Sequence, residues 1–281
     1  MKKTFGVVGG DRRQAELARL LAGDGNAVRT YGLERWKPVG ADTLDRAASA
    51  DVVILPLPLC KGDGVLNCEE GAVPTLDLFR RLRPRQRILA GQVRPQQRRE
   101  AESLGLTVED YFLREELAVA NAAATAEGAV QIALEELAVT LHGARALVLG
   151  YGRVGKLTAH RLAALGARVT VAARSYEALA WAEAYGHEAQ QLTDLAGYLC
   201  GYDLVVNTIP RRVLTRALLE ELKESCLVID LASKPGGVDF QGAAELGVRC
   251  VWALSLPGKV APVTAASALR DTIYNMLREY S

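Results

Sequence analysis

Residues 145–175 of the chain read Arg-Ala-Leu-Val-Leu-Gly-Tyr-Gly-Arg-Val-Gly-Lys-Leu-Thr-Ala-His-Arg-Leu-Ala-Ala-Leu-Gly-Ala-Arg-Val-Thr-Val-Ala-Ala-Arg-Ser. The apolar run from Ala146 to Leu149 has the length of a β-strand and ends at a glycine-rich turn. Leucines at helical spacing follow as far as Gly166, and residues 168–172 form a second apolar run of strand length. The order of strand, turn, helix and strand predicts a βαβ unit of a doubly wound parallel sheet.

Three glycines in this turn have the spacing of a dinucleotide-binding fingerprint: Gly150, Gly152 and Gly155. The first allows the tight turn, the second lets the backbone approach a pyrophosphate, and the third lets the helix pack on the strand. The N–H groups at the helix start, at Arg153 and Val154, are expected to bind the pyrophosphate with help from the helix dipole. Glycine turns also arise for purely steric reasons, but the flanking strands and helix favour a dinucleotide site.

The end of the second strand predicts which dinucleotide binds. Sites for NAD usually place Asp or Glu there to accept a hydrogen bond from the ribose 2′-hydroxyl, whereas sites for NADP offer a cation. This chain has Ala172, Ala173, Arg174 and Ser175 at that point, with no acid before Glu177. A guanidinium can bind a 2′-phosphate through two hydrogen bonds and a serine hydroxyl can donate another, so the sequence favours NADP. The alternative is that Arg174 is a solvated surface residue.

Length and composition limit the class of protein. A chain of 281 residues is long enough for two domains with separate cores. Lys and Arg total 34 against 33 Asp and Glu, so neither nucleic acid nor a membrane surface is favoured as a partner. No apolar run approaches the roughly 18 residues of a membrane span, and Met-Lys-Lys-Thr leads directly into a predicted strand instead of a signal peptide. The five scattered cysteines favour reduced thiols in a cytosol over disulfides or a zinc site.

The first part of the chain predicts another Rossmann-like domain. Thr4 to Val8 is a predicted strand, and the turn Gly-Gly-Asp-Arg-Arg-Gln at 9–14 lacks the three-glycine spacing, so we expect it to serve another ligand. Further strands are predicted at 27–30, 51–57, 87–90 and 107–108. In the second half, strands are predicted at 204–209, 227–231 and 249–254. Alternation of strands with helical segments implies parallel sheets.

Two helices organise the predicted domains. One long helix is predicted from 119 to 142, ending on His142 and a glycine, and a closing helix is predicted near 264–277. We therefore predict an α/β fold of two Rossmann-like doubly wound parallel-sheet domains joined by the long helix, with the C-terminal helix returning to the first domain. The predicted substrate domain is 1–118 completed by 262–281, the linking helix is 119–142, and the NADP-binding domain is 143–261.

Ligands in such sheets bind at the loops beyond the carboxyl ends of the strands. These loops and the start of the long helix carry cations and hydroxyls that suit a carboxylate substrate: Arg13, Lys61, Arg94, Thr125, Ser233, Lys234 and Lys259. The three histidines lie elsewhere, which argues against a hydroxyacid dehydrogenase with a histidine base. The loop that begins at Pro56 is long, and we expect either a binding lid or an ordinary surface excursion.

Seven segments, in order along nearly the whole chain, carry a resemblance: 9–14, 125–129, 150–155, 172–175, 207–210, Asp-Leu-Ala-Ser-Lys-Pro-Gly-Gly at 230–237, and Leu-Pro-Gly-Lys-Val-Ala-Pro at 256–262. Together they resemble the dipicolinate synthase A-subunit family. The segment at 230–237 and the Gly-Gly-Asp start are specific, whereas the glycine fingerprint is shared by many families. Residues 60–85 carry no motif of the family.

The resemblance implies an activity, a location and a partner. The implied activity is the NADP-dependent last step of dipicolinate formation, in which a hydroxylated tetrahydrodipicolinate loses water and is oxidised to pyridine-2,6-dicarboxylate. The implied location is the mother-cell cytoplasm of a spore-forming bacterium. The implied partner is a flavoprotein-like B-subunit, and the resemblance leaves a homo-oligomer open.

Under this resemblance, individual residues take expected roles in a dicarboxylate site. The expected catalytic residues are Arg13, Thr125, Glu127, Ser233 and Lys234. The expected substrate-binding residues are Gly10, Asp11, Arg13, Asn121, Lys61, Arg94 and Lys259. The expected cofactor-binding residues are Gly150, Gly152, Arg153, Val154, Gly155, Arg174, Ser175, Asn207, Thr208, Pro210, Asp230, Ser233, Pro257 and Gly258. No metal ligand is expected.

Two other classes of protein remain open. One is another two-domain dehydrogenase related to methylenetetrahydrofolate dehydrogenase, because Pro257-Gly258 followed by a Pro-Val-Thr helix start is similar. Such an enzyme needs a lysine as its acid or base in the cleft, and the first turn of the chain offers no clear candidate. The other class is a non-catalytic partner that binds NADP and shapes the B-subunit, since an intact fingerprint does not prove turnover.

Overall fold

The computed structural model describes residues 3–62, 64–69 and 71–279, so Met1, Lys2, Tyr280 and Ser281 of the predicted first domain lie outside it. The described residues form two compact units. The first contains the residues up to Asn121 together with those from Ala261 onward, and the second is Ala122–Val260. Each unit contains one parallel sheet, and the predicted fold class is confirmed.

The first unit begins with five strands and the helices between them. Its strands are β1 (Thr4–Val8), β2 (Ala27–Tyr31), β3 (Val52–Ile54), β4 (Arg87–Ala90) and β5 (Val108–Asp110). The helices between them are α1 (Arg12–Gly23), α2 (Leu44–Ala48), α3 (Thr75–Phe79) and α4 (Pro95–Ser103), with 3₁₀ turns at Glu34–Trp36 and Tyr111–Leu113. All neighbours pair in parallel in the order β2-β1-β3-β4-β5. The order changes direction between β1 and β3, as in doubly wound sheets.

The two faces of this sheet bury different side chains, because successive residues of a strand point to opposite faces. Phe5 and Val7 of β1 lie in one apolar cluster with Leu17 of α1, whereas Val8 lies in another with Phe79 of α3. All five side chains are buried. A sheet covered on both faces explains why its strands read as continuous apolar runs.

The long helix α5 spans Glu115–Glu136, so the predicted bounds of 119–142 were wrong at both ends. The guanidinium of Arg249 donates to the carbonyl of Glu136, which satisfies one of the carbonyls left without a partner at a helix end. The predicted C-terminal glycine, Gly143, lies beyond the helix in the turn to the next strand, with φ of 82°. The apolar stripe on which the prediction rested continues past the last helical residue, because Leu137 is half-buried and Leu141 is buried outside a helix.

Among the described residues, α5 is also the one helix long and apolar enough to cross a membrane, judged by length and composition alone. Its most apolar window of 18 residues has a mean hydropathy of 1.3 and is 39% buried. Ala126 and Ala133 are fully buried, and Gly128 lies against the side chain of Leu256. The core helix of a protein that enters no membrane meets the same criterion.

The second unit has six strands: β6 (Arg145–Leu149), β7 (Arg168–Ala173), β8 (Glu188–Gln191), β9 (Leu204–Asn207), β10 (Leu227–Asp230) and β11 (Arg249–Trp252). Its helices after α5 are α6 (Arg153–Ala164), α7 (Tyr176–Ala184), α8 (Arg216–Glu220), α9 (Phe240–Glu245) and α10 (Leu256–Val260), with 3₁₀ turns at Leu192–Asp194 and Leu199–Gly201. The strands are parallel in the order β8-β7-β6-β9-β10-β11. This is the strand order of dinucleotide-binding sheets, with the change of direction between β6 and β9.

Two strands differ most from the prediction, whereas the others differ only at their ends. The strand expected at 51–57 is only three residues long, because Pro56 and Pro58 have no N–H group to continue the ladder. The edge strand β8 was missed, since its sequence Glu-Ala-Gln-Gln has no apolar pattern. It is defined by parallel pairing with β7 and by a hydrogen bond from the Thr170 hydroxyl to the Glu188 carboxylate at 2.9 Å.

The C-terminal helix α11 spans Pro262–Arg278 and belongs to the first unit, which confirms its predicted return. Leu269 and Ile273 lie in the same apolar cluster as Leu17 of α1. The residues of α11 that are buried fall on one side of the helix at spacings of three and four. This helix therefore completes one face of the first sheet.

The described part of the segment after β3 is packed into the first unit; Asp63 and Glu70 lie outside the described residues. Leu59 and Leu66 are buried in an apolar cluster of this unit. The carbonyl of Asn67 accepts a hydrogen bond from the N–H of Gly10 at 2.7 Å. The segment therefore forms one wall of the first turn of the chain, and its role as a lid stays a prediction.

Candidate functional site

The glycine turn of the second unit is sterically compact. Gly150 has φ of 92°, and a Cβ added there would lie 2.6 Å from the Thr208 hydroxyl. A Cβ on Gly155 would overlap the carbonyl oxygen of Gly150. The Thr208 hydroxyl in turn donates to the carbonyl of Leu149 at 2.8 Å. These two glycines are therefore required by the turn itself, as the fingerprint predicts.

The middle glycine faces open space. Gly152 is the N-cap residue of α6, with no side-chain cap, and a Cβ added there would meet no atom within 4 Å. The twelve-residue helix behind it places its positive end and its first-turn N–H groups, including those of Arg153 and Val154, at this space. An anion can therefore approach the backbone here, which fits the pyrophosphate of a dinucleotide.

A cavity of about 430 Å³ opens at this turn. Its lining residues are Gly150, Tyr151, Gly152, Ala173, Arg174, Ser175, Ala178 and Ile209. Four of these were expected from the sequence, whereas Tyr151, Ala173, Ala178 and Ile209 were missed. Each missed residue is next to an expected one in the sequence or lies one turn into α7, so the motif already indicated this region. Three of the four have apolar side chains, which offer no hydrogen bond or charge that would mark them as ligand-binding.

The end of β7 presents a cation and a hydroxyl to the cavity. Arg174 is exposed, and within the described part of the chain no carboxylate lies within 4.0 Å of its guanidinium. Ser175 is the N-cap of α7, where its hydroxyl oxygen accepts from the N–H of Ala178 at 3.2 Å. This contact uses the oxygen as acceptor, so the hydroxyl proton can still be donated to a ligand.

Asn207 and Asp230 form a fully buried polar pair at the ends of β9 and β10. The Asn207 amide donates to the Asp230 carboxylate at 2.7 Å, and the same carboxylate accepts from the N–H groups of Ala232 and Gly237 at 3.0 and 2.7 Å. The Asn207 amide also bonds the N–H and the carbonyl of Ile209. Neither side chain has exposed surface, and together they shape the loops that carry other expected site residues. The cofactor-binding role expected of Asn207 and Asp230 stays a prediction.

The remaining residues expected in this unit follow the strand ends. Pro210, Ser233 and Lys234 are exposed on the loops after β9 and β10, which are joined by a hydrogen bond from the N–H of Val213 to the carbonyl of Gly237 at 2.9 Å. Residues 257–259 lie in the short helix α10 after β11, where Pro257 and Gly258 are half-buried and Lys259 is exposed. The loop expected there is therefore a helical turn.

The first turn of the chain is built around an ion pair. Asp11 caps α1 and accepts from the N–H of Arg13 at 2.9 Å, while the Gln14 side chain accepts from the N–H of Asp11 at 3.0 Å, which completes a capping box. The Arg13 guanidinium donates to Asp11 through Nε and Nη2, the latter at 2.7 Å, and through Nη2 to the carbonyl of Leu57 at 3.0 Å. Gly10 has φ of 112° and lies directly over the Gln14 side chain.

Burial and hydrogen bonds act in opposite directions on Arg13. Burial lowers the pKa of its guanidinium, but the hydrogen bonds and charge of Asp11 outweigh burial, so the pKa is raised overall. The buried phenol of Tyr111 lies close by and donates to the carbonyl of Leu55 at 2.8 Å, and burial raises the pKa of that phenol. Arg13 thus stays charged and Tyr111 stays neutral, with both side chains fixed by protein contacts.

The other expected substrate residues are divided among several elements. The Lys61 ammonium donates to the carbonyl of Cys68 at 3.1 Å, and Arg94 is exposed at the N-cap of α4. Asn121 and Thr125 are half-buried one turn apart on α5. Glu127, also on α5, forms an ion pair with Arg161 of α6 at 3.3 Å. Their catalytic and substrate-binding roles stay predictions.

A second cavity of about 410 Å³ lies between α8 and α9 in the same unit. Arg216 on its wall is paired with Glu220 and Glu245, so its charge is already neutralised. This cavity has neither the glycine turn nor the start of a long helix, and the cavity at Gly152 is therefore the candidate dinucleotide site. Among the described residues, no group of three His, Cys, Asp or Glu is placed to hold a metal ion.

Comparison with known proteins agrees with this division of the chain. Residues 4–112 match the model of the N-terminal domain of the dipicolinate synthase A-subunit, and residues 131–245 match that of shikimate / quinate 5-dehydrogenase. The dipicolinate synthase A-subunit of Bacillus subtilis (strain 168) is 31% identical over 290 residues, covering 97% of this chain and 95% of that protein. This chain belongs to the dipicolinate synthase A-subunit family.

Solved structures agree with the family and extend the likeness of the fold. The crystal structure of the dipicolinate synthase A-subunit from Bacillus halodurans has a TM-score of 0.89 and 31% identity, covering 98% of this chain and 97% of that one. A transhydrogenase from Sinorhizobium meliloti has a TM-score of 0.73 at 19% identity, covering 95% and 88%, which shows a shared fold alone. For this member of the dipicolinate synthase A-subunit family, the dehydrogenase-type second unit supports an oxidoreductase with a nicotinamide cofactor.

Proposed function

We propose that this chain is an NADP-dependent dehydrogenase that oxidises dehydrated 4-hydroxy-tetrahydrodipicolinate to dipicolinate, pyridine-2,6-dicarboxylate. The observation that carries the proposal is the cavity at the glycine turn. Arg174 and Ser175 are among its lining residues, and none of the lining residues is a carboxylate. An acid that would accept from a ribose 2′-hydroxyl is thus replaced by donors that suit a 2′-phosphate. Membership of the dipicolinate synthase A-subunit family supports the choice of substrate.

The proposed reaction has two parts that balance. Loss of water from the hydroxylated ring gives a dihydropyridine dicarboxylate, and removal of one hydride and one proton from that ring gives the aromatic diacid. NADP, when bound, supplies the acceptor for the hydride. Since the product is aromatic, much of the driving force lies in the substrate, and the chain mainly has to bind the two molecules, orient them and exclude water.

The residues of the second unit fit the cofactor in two groups. Gly150, Gly152 and Gly155, with the first turn of α6, take the pyrophosphate, while Arg174 and Ser175 take the 2′-phosphate. The loops after β9, β10 and β11 then hold the nicotinamide half through Thr208, Pro210, Ser233, Pro257 and Gly258. On this proposal the buried pair Asn207 and Asp230 holds those loops in position.

A dicarboxylate substrate needs donors for both of its carboxylates, and we propose Arg13 for one of them. Among the described residues, the contacts that fix the guanidinium of Arg13 use Nε and Nη2 and leave Nη1 for a ligand, so a charged donor is held in a set orientation. Asn121 and Lys61, in the same unit as Arg13, are proposed to add donors. The roles predicted from the sequence for Thr125, Ser233, Lys234, Lys259, Arg94 and Glu127 are kept in the proposal, with Glu127 assisting proton removal during loss of water.

Replacing Arg13 by alanine tests the substrate site. Loss of a desolvated charged contact costs about 2–5 kcal/mol, so we expect KM for the substrate to rise by at least about tenfold. The Kd for NADP, measured by quenching of protein fluorescence, should stay within about twofold, because the two ligands have separate anchors. Arg12→Ala is the matched control, since Arg12 is an exposed neighbour whose contact with Glu16 is 3.7 Å long. Equal losses of substrate and NADP affinity would show that Arg13 is structural.

The proposed activity is tested by mixing the purified chain with enzymatically prepared 4-hydroxy-tetrahydrodipicolinate and NADP. We expect reduced cofactor and aromatic product to appear together, as followed by their separate absorbances, with NAD much slower. If the purified chain converts the substrate without any other protein, it is a complete enzyme.

The proposed setting is the mother cell of a sporulating bacterium, and the proposed partner is a flavoprotein-like B-subunit.

Two outcomes would contradict the proposal. If neither signal rises until the B-subunit is added, the chain is a cofactor-binding partner, and the catalytic roles given above are wrong. If NADP is reduced by a methylenetetrahydrofolate substrate instead, the pyridine dicarboxylate is the wrong ligand. Neither outcome would contradict the proposed cofactor site of the second unit, because that proposal is based on the geometry of the glycine turn.

A further inference from the structure

Lys156, in the first turns of α6, lies over the ring of Tyr151, a residue that lines the candidate cofactor cavity. Its ammonium nitrogen is 5.6 Å from the centroid of the Tyr151 ring and 5.6 Å from that of the Trp181 ring. Tyr151 belongs to the glycine turn and lines the cavity, whereas Trp181 is on α7, the helix capped by Ser175. Lys156 is therefore bordered by the two elements that carry the glycine turn and the proposed 2′-phosphate donors.

Both aromatic rings are held by contacts of their own. The Trp181 ring stacks on the Tyr185 ring, with centroids 5.9 Å apart and planes at 27°. The Tyr151 ring meets His187 edge-on at 6.3 Å, and burial raises the pKa of the Tyr151 phenol, which keeps it neutral. The ammonium therefore rests on two fixed, uncharged surfaces.

The charge of Lys156 is oriented but not neutralised. Across residues 3–62, 64–69 and 71–279, no carboxylate lies within 4.0 Å of its ammonium. A cation over aromatic rings keeps its full charge, whereas an ion pair would cancel it. Many other cations of this chain are paired, as Arg161 is with Glu127 one turn further along the same helix. A cation held in this way remains available to an anionic ligand.

We propose that Lys156 is a second cation for the ribose 2′-phosphate of NADP, acting beside Arg174, and thus a residue that determines cofactor specificity. This inference rests on the proposed NADP dependence of the chain. A phosphate monoester carries a charge of about −1.5 to −2 at neutral pH, so a single guanidinium leaves part of it unbalanced. The flexible stem of lysine lets the ammonium move from the rings to the phosphate without a change in backbone.

The test compares ligands that differ only in the 2′-phosphate. Binding of NADP, NAD, adenosine 2′,5′-bisphosphate and adenosine 5′-monophosphate is measured by titration calorimetry on the full chain. We expect Lys156→Gln to weaken NADP and the bisphosphate about tenfold, as for loss of one charged hydrogen bond, and to leave NAD and the monophosphate within about twofold. Lys156→Arg should recover most of the lost affinity, because it keeps the charge.

A control variant removes the same charge elsewhere in the unit. Arg168 is an exposed residue at the start of β7, whereas Arg174 follows the end of that strand. Arg168→Gln should leave the affinities for all four ligands within about twofold, since a charge one strand length away is screened by salt. Thermal melting of each variant verifies that the fold is kept.

The outcomes separate this inference from the function on which it rests. If the wild-type chain binds NAD as tightly as NADP, the proposed NADP dependence fails and the role of Lys156 fails with it. If Arg174→Gln removes the preference for NADP while Lys156→Gln leaves it intact, only the inference about Lys156 is wrong. Equal weakening of all four ligands by Lys156→Gln would assign the residue to the shape of the glycine turn instead.

Discussion

At the scale of single residues, the fingerprint glycines serve two different purposes. Gly155 is required by the protein, because any side chain there would overlap the carbonyl oxygen of Gly150. Gly152 is not required by the protein, because a side chain there would meet no atom within 4 Å, and under the proposed function it leaves room for the pyrophosphate. A substitution at each position therefore separates the stability of the turn from its ability to bind.

We predict opposite results for Gly152→Ala and Gly155→Ala. Gly155→Ala should lower the free energy of unfolding by about 1–3 kcal/mol, the usual effect of an extra methyl group in a packed site. Gly152→Ala should leave that free energy unchanged within about 0.5 kcal/mol, because its φ of −80° suits alanine. The Gly152 variant should nevertheless bind NADP at least about tenfold more weakly, since its methyl group fills the space of the pyrophosphate. Urea denaturation and titration calorimetry measure the two effects, and unchanged NADP binding by Gly152→Ala would place the pyrophosphate elsewhere.

At the scale of secondary structure, each sheet has an aspartate in an equivalent position, just before a strand, that accepts hydrogen bonds from the start of the neighbouring strand. Asp51, just before β3, accepts from the N–H and the hydroxyl of Thr4 at the start of β1, at 2.8 and 2.7 Å. Asp203, just before β9, accepts from the N–H of Arg145 at the start of β6, at 2.8 Å, and pairs with Lys223. In each unit, the acid closes the amino end of the two strands between which the strand order changes direction.

The electrostatics of Asp203 predict a dependence of stability on pH. Burial raises the pKa of its carboxyl, but Lys223 and the N–H of Arg145 outweigh burial, and the pKa is lowered overall. A carboxyl whose pKa is lowered by folding stabilises the protein above its unfolded pKa of about 3.9 and loses that contribution as the pH falls through the folded pKa. Asp203→Asn should therefore lower the free energy of unfolding by about 1–2 kcal/mol at neutral pH.

The comparison of urea denaturation at neutral and acidic pH decides whether charge is the cause. The difference between wild type and Asp203→Asn should shrink as the pH falls below about 4. Glu220→Gln is the control, because Glu220 forms an exposed ion pair with Arg216 in the same unit and should matter little at either pH. A difference that stays constant with pH would mean that the shape of the side chain, and not its charge, stabilises the strands.

At the scale of the whole molecule, the chain makes the first unit from two separate segments. The N-terminal segment supplies the sheet, and α11 returns after the complete second unit to cover one of its faces. Ile273 of α11 is fully buried among side chains from β1 and α1. The first unit therefore cannot reach its full stability until the last helix has been made.

We predict that Ile273→Ala weakens the first unit selectively. Removing a fully buried isoleucine side chain costs about 2–5 kcal/mol through lost burial and the cavity left behind. Hydrogen exchange followed by mass spectrometry should show faster exchange in β1, α1 and α11, with peptides from Ala122–Val260 unchanged. Val263→Ala, on the same helix but 54% exposed, should change exchange little. Faster exchange throughout both units would show that they unfold as one cooperative body.

The sequence by itself determined the fold class and predicted a nicotinamide cofactor for the second unit. Apolar periodicity and glycine spacing predict the fold class, nearly all of the strands and the return of α11. They do so because they reflect burial and backbone geometry within short stretches of chain. The cation and hydroxyl at 174–175 could be identified because they follow a predicted strand directly. The polar strand β8 could not be identified from the sequence, because it is defined by its pairing with β7. The true end of α5 could not be identified either, because it is accompanied by a contact from the distant Arg249.

Only the tertiary structure decided what each polar side chain does. Asp230 carries the chemistry of a ligand contact in the sequence, yet the fold buries it against Asn207, 23 positions away. Arg13 is held by Asp11 and by a carbonyl 44 positions away, and Lys156 rests on a tryptophan of the next helix. The physical reason is common to all three. Local pattern records which residues are buried, whereas the partner of a charge is set by residues that meet only when the strands and helices have packed.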